Sequence, residues 1–520
     1  MKPVSRRTWL KRSGAAAAVS LSAPYVSRLA HAVPGTNKGD NLFSLGVASG
    51  DPLSDSVVLW TRLAPKPLEP GGGMPLKPVD VAWEIFEDEK MTRIVRQGTA
   101  PAHPDWSHSV HVDVRGLNSA RWYWYRFRLG DQTSEIGRTR TAPAPGAAVE
   151  KLRFASACCQ KYEDGHYTAY KHMRDEDLDF VLFLGDYIYE KEARLGKPRA
   201  HDLPLAETLE HYRARYGLYK SDENLKAVHA AFPWIVTWDD HEFANDYADD
   251  VDTPNGERSP EFLARRANAY RAYYEHMPLR AAQKPKGPHL KLYRRFRFGD
   301  LAAVHVLDTR QYRTPQPCGN KTRPVCAETD DPERTILGRE QKAWLLDGLA
   351  NTPSRWTVIA QQVPMMQRNN PKGGVARYNM DKWDGYRADR NDLLRFIGER
   401  NIADVIALSG DVHTNFAGDL KYDFDDPSSK TVGSEFIGTS IASRGDGHDL
   451  SKKGRKFLED NGHLKFYNRQ RGYLLNTVTP DSWRADFRVM EYISRPGAPV
   501  RTRASFMVEA GRPGLKKLTG

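Results

Sequence analysis

The sequence lacks any apolar run long enough to cross a membrane once its N-terminus is set aside. Of its 520 residues, 40% are hydrophobic and 28% are charged. No later stretch approaches the roughly 18 consecutive apolar residues of a transmembrane helix. Low-complexity tracts are also missing, which argues against disorder beyond the two ends of the chain. We therefore expect a folded protein with no transmembrane segment in its mature chain.

A strong excess of positive charge is missing as well. The formal net charge is +11, but residues 1–32 contribute six basic residues and no acidic one, so a chain without them carries +5. Nucleic-acid-binding domains concentrate basic charge more strongly than this. The composition therefore argues against a nucleic-acid-binding module.

The N-terminus has the pattern of a twin-arginine (Tat) export signal. Arg6 and Arg7 in "SRRTWLK" precede a weakly apolar stretch that is too short to span a bilayer. "AHA" at residues 30–32 then matches the small-x-small sequence at which signal peptides are cleaved. We expect the Tat translocase to export the chain, residues 1–32 to be removed, and the mature protein to be periplasmic or secreted.

Cysteines are few, and the four that are present form two pairs along the chain. Cys318 and Cys326 bracket the polar loop "GNKTRPV". In an oxidising compartment we expect a disulfide to close this loop. Cys158 and Cys159 are adjacent and follow the apolar run "RFASA". Their position at the end of a predicted strand indicates a different role.

The chain divides into two predicted domains. Over residues 40–145, alternating runs such as "SVVLWTRL" and "VDVAWEIFE" predict an antiparallel β-sandwich of the Ig/fibronectin-like type. Over residues 151–500, short apolar strands alternate with helical stretches such as Gly338–Leu349, which is typical of an α/β domain. Residues 501–520, which include "RPGLKKLTG", are predicted to be a solvated tail.

Four of the predicted strands end at residues that can bind metal ions. In α/β sheets the chemistry collects at the carboxyl ends of the strands. No single strand end could hold a metal ion, but together they could hold two or more. The four ends are Cys158, Cys159 and Gln160 after "RFASA"; Gly185, Asp186 and Tyr189 after "VLFL"; Asp239, Asp240, His241 and Glu242 after "WIVTW"; and Asp411 and His413 after "VIALSG".

The order of these motifs resembles that of calcineurin-type metallophosphoesterases and, more narrowly, of the PhoD-type alkaline phosphatase/phosphodiesterase family. "ASACCQ", "GDYIYE", "TWDDHEFANDY" and "SGDVHTNF" occur in that family's order, and the resemblance covers nearly the whole mature chain. The Asp-x-His that usually opens the wider superfamily is absent, and its Gly-Asn-His is replaced by Asp-Asp-His. The resemblance implies an exported β-sandwich followed by a four-layer αββα metallophosphoesterase domain.

The resemblance also implies a ferric ion together with calcium, rather than zinc. Fe³⁺ suits the carboxylate of Asp186, the phenolate of Tyr189 and a cysteine thiolate. Cys159 matches the family's cysteine position better than Cys158 does, and the second cysteine leaves that choice open. Asp186 is expected to bridge the two ions.

Calcium prefers oxygen ligands in a loose site of high coordination number. The expected ligands besides Asp186 are Asp239 or Asp240, Asp411 and, from the resemblance alone, the amide of Asn268.

The two histidines can each bind a metal ion or donate a hydrogen bond to phosphate. We assign His413 to the metal ligands and His241 to phosphate contact. With Asp186, His241 is the expected catalytic residue.

These residues predict hydrolysis of small phosphate monoesters and diesters by attack of a metal-bound hydroxide or oxide, for use in phosphate scavenging. A metal ion lowers the pKa of its bound water from about 15.7 toward ~7, which provides a nucleophile at neutral pH. The alternative is a secreted phospholipase D-like enzyme acting on phospholipid headgroups, because the same site would cleave either diester. Teichoic-acid-like polymers are further candidate substrates. A non-catalytic binding module would require missing ligands, and none is obviously missing.

Overall fold

The computed structural model describes residues 39–252 and 256–520. The predicted signal peptide, residues 1–32, lies outside them. The N-terminal part of the described chain consists of strands β1 (Val47–Gly50), β2 (Ser56–Arg62), β3 (Val79–Phe86), β4 (Ile94–Ala102), β5 (Ser109–Arg115), β6 (Trp122–Leu129), β7 (Gln132–Thr133) and β8 (Gly137–Arg140).

Strands and helices alternate from residue 152 onward, as the sequence predicts. The elements are β9 (Leu152–Ala157), α1 (Thr168–Arg174), β10 (Phe180–Leu184), α2 (Leu209–Lys220), α3 (Glu223–Ala231), β11 (Pro233–Thr237), β12 (Val251–Asp252), β13 (Glu257–Arg258), α4 (Pro260–His276), β14 (Arg294–Phe298), β15 (Ala302–Val306), β16 (Thr322–Arg323), α5 (Gly338–Asn351), β17 (Trp356–Ala360), β18 (Tyr378–Asn379), α6 (Arg387–Glu399), β19 (Val405–Ser409), β20 (Asn415–Lys421), β21 (Thr431–Ile437), α7 (Lys452–Glu459), β22 (Leu464–Asn468), β23 (Gly472–Val478), β24 (Ser482–Met490), β25 (Val500–Glu509) and β26 (Arg512–Thr519).

Two large sheets form the centre of the molecule. The ten-stranded sheet has the order β26-β25-β24-β23-β9-β10-β11-β1-β2-β5, and its middle strands β9, β10, β11 and β1 run parallel. The seven-stranded sheet has the order β14-β15-β17-β19-β21-β20-β22, with β15, β17, β19 and β21 parallel.

The side chains of β10 show why the sheets stack in four layers. Successive strand residues point to opposite faces of a sheet. Val181 and Phe183 pack among the aromatic residues of α1 to α4, whereas Phe180, Leu182 and Leu184 pack into the core between the two sheets. Helices α5 and α6 cover the other face of the seven-stranded sheet. The predicted αββα arrangement is confirmed.

The N-terminal strands form the predicted antiparallel sandwich, but one of its two sheets is not separate from the second domain. Strands β3, β4, β6, β7 and β8 make a five-stranded sheet, which packs against β1, β2 and β5. Strand β1 in turn pairs parallel with β11, with Ser49 opposite Pro233 and Gly50 opposite Trp234. The sandwich is therefore joined to the second domain through a continuous sheet.

The prediction of a solvated tail over residues 501–520 is wrong. These residues form most of β25 and all of β26, the last two strands at one edge of the ten-stranded sheet. Edge strands commonly carry exposed lysines, which oppose pairing with other chains. Lys516 and Lys517 are exposed on β26, and this polarity made an edge strand resemble a tail.

Among the described residues, no helix is both long and apolar enough to traverse a bilayer.

Candidate metal and active site

The four predicted strand ends meet at one edge of the stacked sheets. Strands β9, β10 and β11 are parallel neighbours, and β19 belongs to the facing sheet. Several residues just after them have left-handed backbone angles, with φ of 60° at Cys159, 58° at Asp186, 66° at Asp411 and 52° at His413. Such angles are uncommon outside glycine and cluster at functional sites.

Gly185 allows the loops after β10 and β11 to approach each other. Its φ is +103°, and an added Cβ would lie 2.4 Å from the backbone nitrogen of Asp239. A larger residue would clash with that backbone and would also be strained. The glycine of "GDYIYE" is therefore needed to bring Asp186 beside the β11 loop.

One group of donors surrounds Asp186 on the side of β9. The ligand atoms of Cys159, Asp186 and His413 lie within 4.8 Å of one another, and all three residues are buried. The phenol oxygen of Tyr189 joins them, 2.7 Å from Asp186 Oδ2 and 3.0 Å from His413 Nε2. Cys158 lies outside this group, and its thiol donates to the carbonyl of Thr439 at 3.1 Å.

A second group lies on the side of β11. The ligand atoms of Asp186, Asp240 and His241 also lie within 4.8 Å of one another, so Asp186 belongs to both groups. Asp239 belongs to neither, because its Oδ1 accepts a hydrogen bond from Nε of the buried Arg310 at 2.5 Å. Of the two aspartates that the sequence left open, the structure places Asp240 beside the shared carboxylate.

Asp411 lies in the same cavity but is held by basic residues. Its carboxylate forms ion pairs with Lys382 and, at 3.6 Å, with Arg310. Arg310 and Lys382 both also pair with Asp381, and Arg313 reaches the same carboxylate at 2.7 Å. Apart from Asp411, the sequence analysis did not point to the members of this network, because Arg310, Arg313, Asp381 and Lys382 lie outside its four motifs.

The structure does not bring Asn268 to the site. It lies on α4, partly exposed, and its amide donates to the carbonyl of Glu207 at 3.4 Å. The residues that follow it, Ala269 and Tyr270, form the buried face of the helix. The asparagines that line the cavity are instead Asn245, in the loop after β11, Asn370 and Asn379.

The electrostatics around Asp186 favour a bound cation. Burial raises the pKa of Cys159, Asp186 and Tyr189 well above their ordinary values, and neighbouring carboxylates reinforce the shift at Asp186. Oδ1 of Asp186, Oδ1 of Asp240 and Nδ1 of His413 are buried without a hydrogen-bond partner. A metal ion would supply the missing positive charge and displace the protons. The thiol, phenol, carboxylate and imidazole therefore fit a metal centre.

His241 is held by the carboxylate of Glu190, which the sequence analysis did not identify as a site residue. Its Nδ1 lies 2.6 Å from Glu190 Oε2, and its ring lies over that of Tyr189 with centroids 4.1 Å apart. Burial acts to lower the pKa of His241, but Glu190 and Asp240 outweigh it and raise the pKa to about 10. Glu190 is the last residue of "GDYIYE", so the motif itself carried the signal.

Glu242 ties the loops of the site together from below. Its buried carboxylate accepts hydrogen bonds from the backbone N–H groups of Asp186, Tyr187 and Asp239, at 3.1, 2.5 and 2.9 Å. The sequence placed Glu242 in the motif without giving it a role. Its role is to fix the relative positions of the β10 and β11 loops.

Both donor groups open into a cavity of about 570 Å³. Acidic residues, among them Asp186, Asp240 and Asp411, line it. A neighbouring cavity of about 550 Å³ also reaches His241 and His413.

The predicted disulfide between Cys318 and Cys326 is confirmed. The loop that it closes carries Thr322, which lines the first cavity. This loop also pairs with a second segment of the cavity wall, since Thr322 lies opposite Asn379 in the β16–β18 ladder.

Sequence comparison identifies the class of protein that this fold and site define. Residues 154–487 match the family described as PhoD-like phosphatase, and residues 28–143 match its N-terminal domain. The chain therefore belongs to the PhoD-like phosphatase family, and it is an enzyme of the alkaline phosphatase type. It is 47% identical to alkaline phosphatase D of Bacillus subtilis (strain 168), over 99% of this chain and 89% of that protein.

The solved structures agree with this family. The chain is similar to the one described as "Structure of PhoD", with a TM-score of 0.90 and 48% sequence identity. The match covers 93% of this chain and 94% of that one. The resemblance inferred from the motifs is confirmed.

Proposed function

We propose that this protein is an exported, metal-dependent phosphoesterase that hydrolyses both phosphate monoesters and phosphodiesters. The observation that supports this most directly is the position of Asp186. Its carboxylate is shared by two groups of metal-binding side chains beside one open cavity. A shared carboxylate is suited to hold two cations close enough to contact one phosphate.

The two groups differ in chemistry, which supports two different ions. Cys159, Asp186, Tyr189 and His413 offer thiolate, carboxylate, phenolate and imidazole, and this set would hold Fe³⁺. Asp186 and Asp240, with Asp411 nearby, offer oxygen and would hold Ca²⁺. When bound, such ions neutralise phosphate oxygens and lower the pKa of water, so that it can act as a nucleophile.

His241 is the residue that we assign to the phosphate. It lines the cavity, and the carboxylate of Glu190 favours its protonated form and fixes the orientation of its ring. A protonated imidazole can donate a hydrogen bond to a phosphate oxygen or a proton to the leaving oxygen. If the imidazole of His241 were neutral, the carboxylate of Glu190 would be buried beside an uncharged ring.

The substrates that we propose are small phosphate esters, met outside the cytoplasm during phosphate scavenging. The cavity is open and predominantly polar, which suits esters with varied alcohols. Phospholipids and teichoic-acid-like polymers remain candidate substrates, and a phospholipase D-like enzyme is the alternative function. The Tat signal in residues 1–32 supports a periplasmic or secreted location.

Rates on three substrates, with metal analysis of the same preparation, test this proposal. We expect turnover of both p-nitrophenyl phosphate and bis-p-nitrophenyl phosphate, with iron and calcium present. Asp186→Asn is expected to lose both activities and both ions. A preparation that cleaves phosphatidylcholine much faster than either nitrophenyl ester would support the phospholipase alternative. Activity on the monoester alone would overturn the diesterase part of the proposal.

A further inference from the structure

The cavity above the metal-binding groups has a second feature that hydrolysis of a single phosphate does not use. Besides Lys382, four basic side chains line this cavity, Arg368, Arg444, Lys453 and Arg469, which we call the cationic rim. They come from separate parts of the chain: the β17–β18 loop, the β21–α7 loop, helix α7 and the β22–β23 loop. Four elements thus direct positive charge into one cavity.

Among the described residues, none of the four rim side chains forms a direct ion pair, although the carboxylates of Asp384 and Asp411 lie close enough to oppose the effect of burial on the pKa of Arg368. Nε of Arg368 and Nε of Arg469 are buried without a hydrogen-bond partner. The guanidinium of Arg368 lies 5.5 Å from the ring centroid of Phe416 rather than against a carboxylate. Arg444 and Lys453 extend from exposed positions.

Two other basic residues near the site are paired with carboxylates. Lys382 pairs with Asp381 and Asp411, and Lys191 pairs with Glu190. Burial lowers the pKa of Arg368 despite the nearby carboxylates, as expected for a charge that has lost part of its hydration. A negatively charged ligand would offset that loss of hydration.

We propose that the cationic rim binds a second phosphate group of the substrate while the metal-binding groups hold the phosphate that is cleaved. This inference rests on the proposed function. Guanidinium groups bind phosphate through paired N–H donors, which suits Arg368 and Arg469. The cavity of about 570 Å³ is far larger than one phosphate requires, within the range of roughly 300–1,000 Å³ that holds whole small molecules.

The substrate class is therefore a phosphate ester that carries a neighbouring phosphate. Two sources share this chemistry: a small bisphosphate, and a phosphodiester flanked by another phosphate in a chain. In both, the metal-binding groups hold one phosphate and the rim holds the next. Esters with an uncharged alcohol bind without the rim and are expected to be poorer substrates.

Matched substrates test the proposal on the metal-loaded enzyme. Ethylene glycol phosphate is compared with ethylene glycol bisphosphate, and thymidylyl-thymidine with its form bearing a terminal phosphate. We expect kcat/KM to favour the substrate with the second phosphate by about tenfold or more, since charge-assisted hydrogen bonds are strong. The preference is expected to weaken as salt is raised. A preference in only one pair identifies which source the site accepts.

Variants of the rim residues then test which side chains cause the preference for a second phosphate. Arg368→Gln and Arg469→Gln are each expected to reduce the preference about tenfold, because each removes one charged donor. Arg455→Gln is the matched control. It removes the same charge from α7, but Arg455 lines a different cavity and not the metal-site cavity. The Arg455→Gln variant is expected to prefer the substrate with the second phosphate as strongly as the wild type does.

Two outcomes would overturn the inference. One is an active enzyme that turns over both members of each pair equally. The other is a preference that survives in the double variant Arg368→Gln/Arg469→Gln. An enzyme without activity on any phosphate ester would instead overturn the proposed function, so the two failures are distinguishable.

Discussion

The phenol of Tyr189 donates a hydrogen bond to Oδ2 of Asp186 at 2.7 Å. The phenol oxygen of Tyr189 also lies 3.0 Å from Nε2 of His413, which comes from a different sheet of the molecule. The phenol therefore lies between two other potential ligands of the site, and this position motivates the first prediction.

Changing Tyr189 to Phe is expected to shift or abolish a visible absorption band of the purified enzyme. A phenolate bound to Fe³⁺ gives a ligand-to-metal charge-transfer band, which a phenylalanine cannot give. Tyr187→Phe is the control, because the Tyr187 hydroxyl contacts His229 at 2.8 Å and not the donor group. An active wild-type protein that is colourless and contains no iron would contradict the ferric assignment.

The adjacent cysteines are expected to behave differently under the same change. Cys159→Ser is expected to alter the absorption band and the iron content, because Cys159 lies in the donor group with Asp186 and His413. Cys158→Ser is expected to leave both unchanged, since the Cys158 thiol only contacts the carbonyl of Thr439. Equal spectral effects of the two variants would contradict this assignment.

Glu190→Gln is expected to lower kcat by about 10- to 100-fold with little change in KM, as for other carboxylates that orient a site histidine. The neutral amide no longer favours the protonated form of His241, whose pKa the Glu190 carboxylate raises against the effect of burial. The loss is expected to be larger for an alkyl phosphate than for p-nitrophenyl phosphate, because alkoxide leaving groups need a proton more. Glu192→Gln, at an exposed neighbouring position, is the control. An equal loss on both substrates would indicate a purely structural role for Glu190.

Removal of metal ions is expected to abolish activity, and added Ca²⁺ is expected to restore it while iron stays bound. Oxygen-rich sites hold calcium reversibly. The melting temperature is expected to fall on chelation, because bound cations stabilise the folded state and relieve repulsion between Asp186 and Asp240. Full recovery of activity with Zn²⁺ alone would favour an ordinary zinc phosphoesterase.

Lys220 provides a test of stability away from the metal-binding residues. It is buried at the end of α2, with Nζ 4.2 Å from the ring centroid of Trp60 in the N-terminal sandwich. Burial lowers its pKa from 10.5 to about 7. Below pH 7 both the folded and the unfolded chain carry the proton, so the cost of burying the charge is fully present. As pH rises from about 7 to 10.5 the folded state loses that proton first, and the cost declines.

Lys220→Met is therefore expected to raise the melting temperature at pH 7 and to have much less effect near pH 10. The free energy of unfolding at pH 7 is expected to rise by a few kcal/mol at most, because the ring of Trp60 partly stabilises the charged form of Lys220. Thermal unfolding of both proteins at the two pH values measures the difference. A loss of stability at both values would show that the ammonium stabilises the fold instead.

Export is expected to depend on the arginine pair near the N-terminus. Arg6→Lys combined with Arg7→Lys is expected to leave the uncleaved precursor in the cytoplasm, because the Tat pathway reads both arginines. Arg28→Lys, the same change near the cleavage site, is the control. Fractionation followed by mass determination of the product measures the outcome. Normal secretion of the double variant, cleaved after Ala32, would rule out this route.

Much of the fold was predictable because its signals are local. Each of the apolar runs ending at Ala157, Leu184, Thr237 and Ser409 became a buried strand. The strand at 512–519 was missed because edge strands carry polar residues, and the sequence shows composition but not pairing. The assignment of Asn268 failed for a related reason. That assignment rested on resemblance alone, and the direction in which Asn268 points depends on how helix α4 packs.

By itself the sequence determined which side chains are available, and that they follow buried strands. Those properties depend on neighbouring residues along the chain, as in "GDYIYE". Only the tertiary structure decided which donors share a space. It placed Cys159 rather than Cys158, and Asp240 rather than Asp239, beside Asp186. It also paired His241 with Glu190. These choices depend on distances across two sheets, which are set by how the sheets stack and how their loops turn.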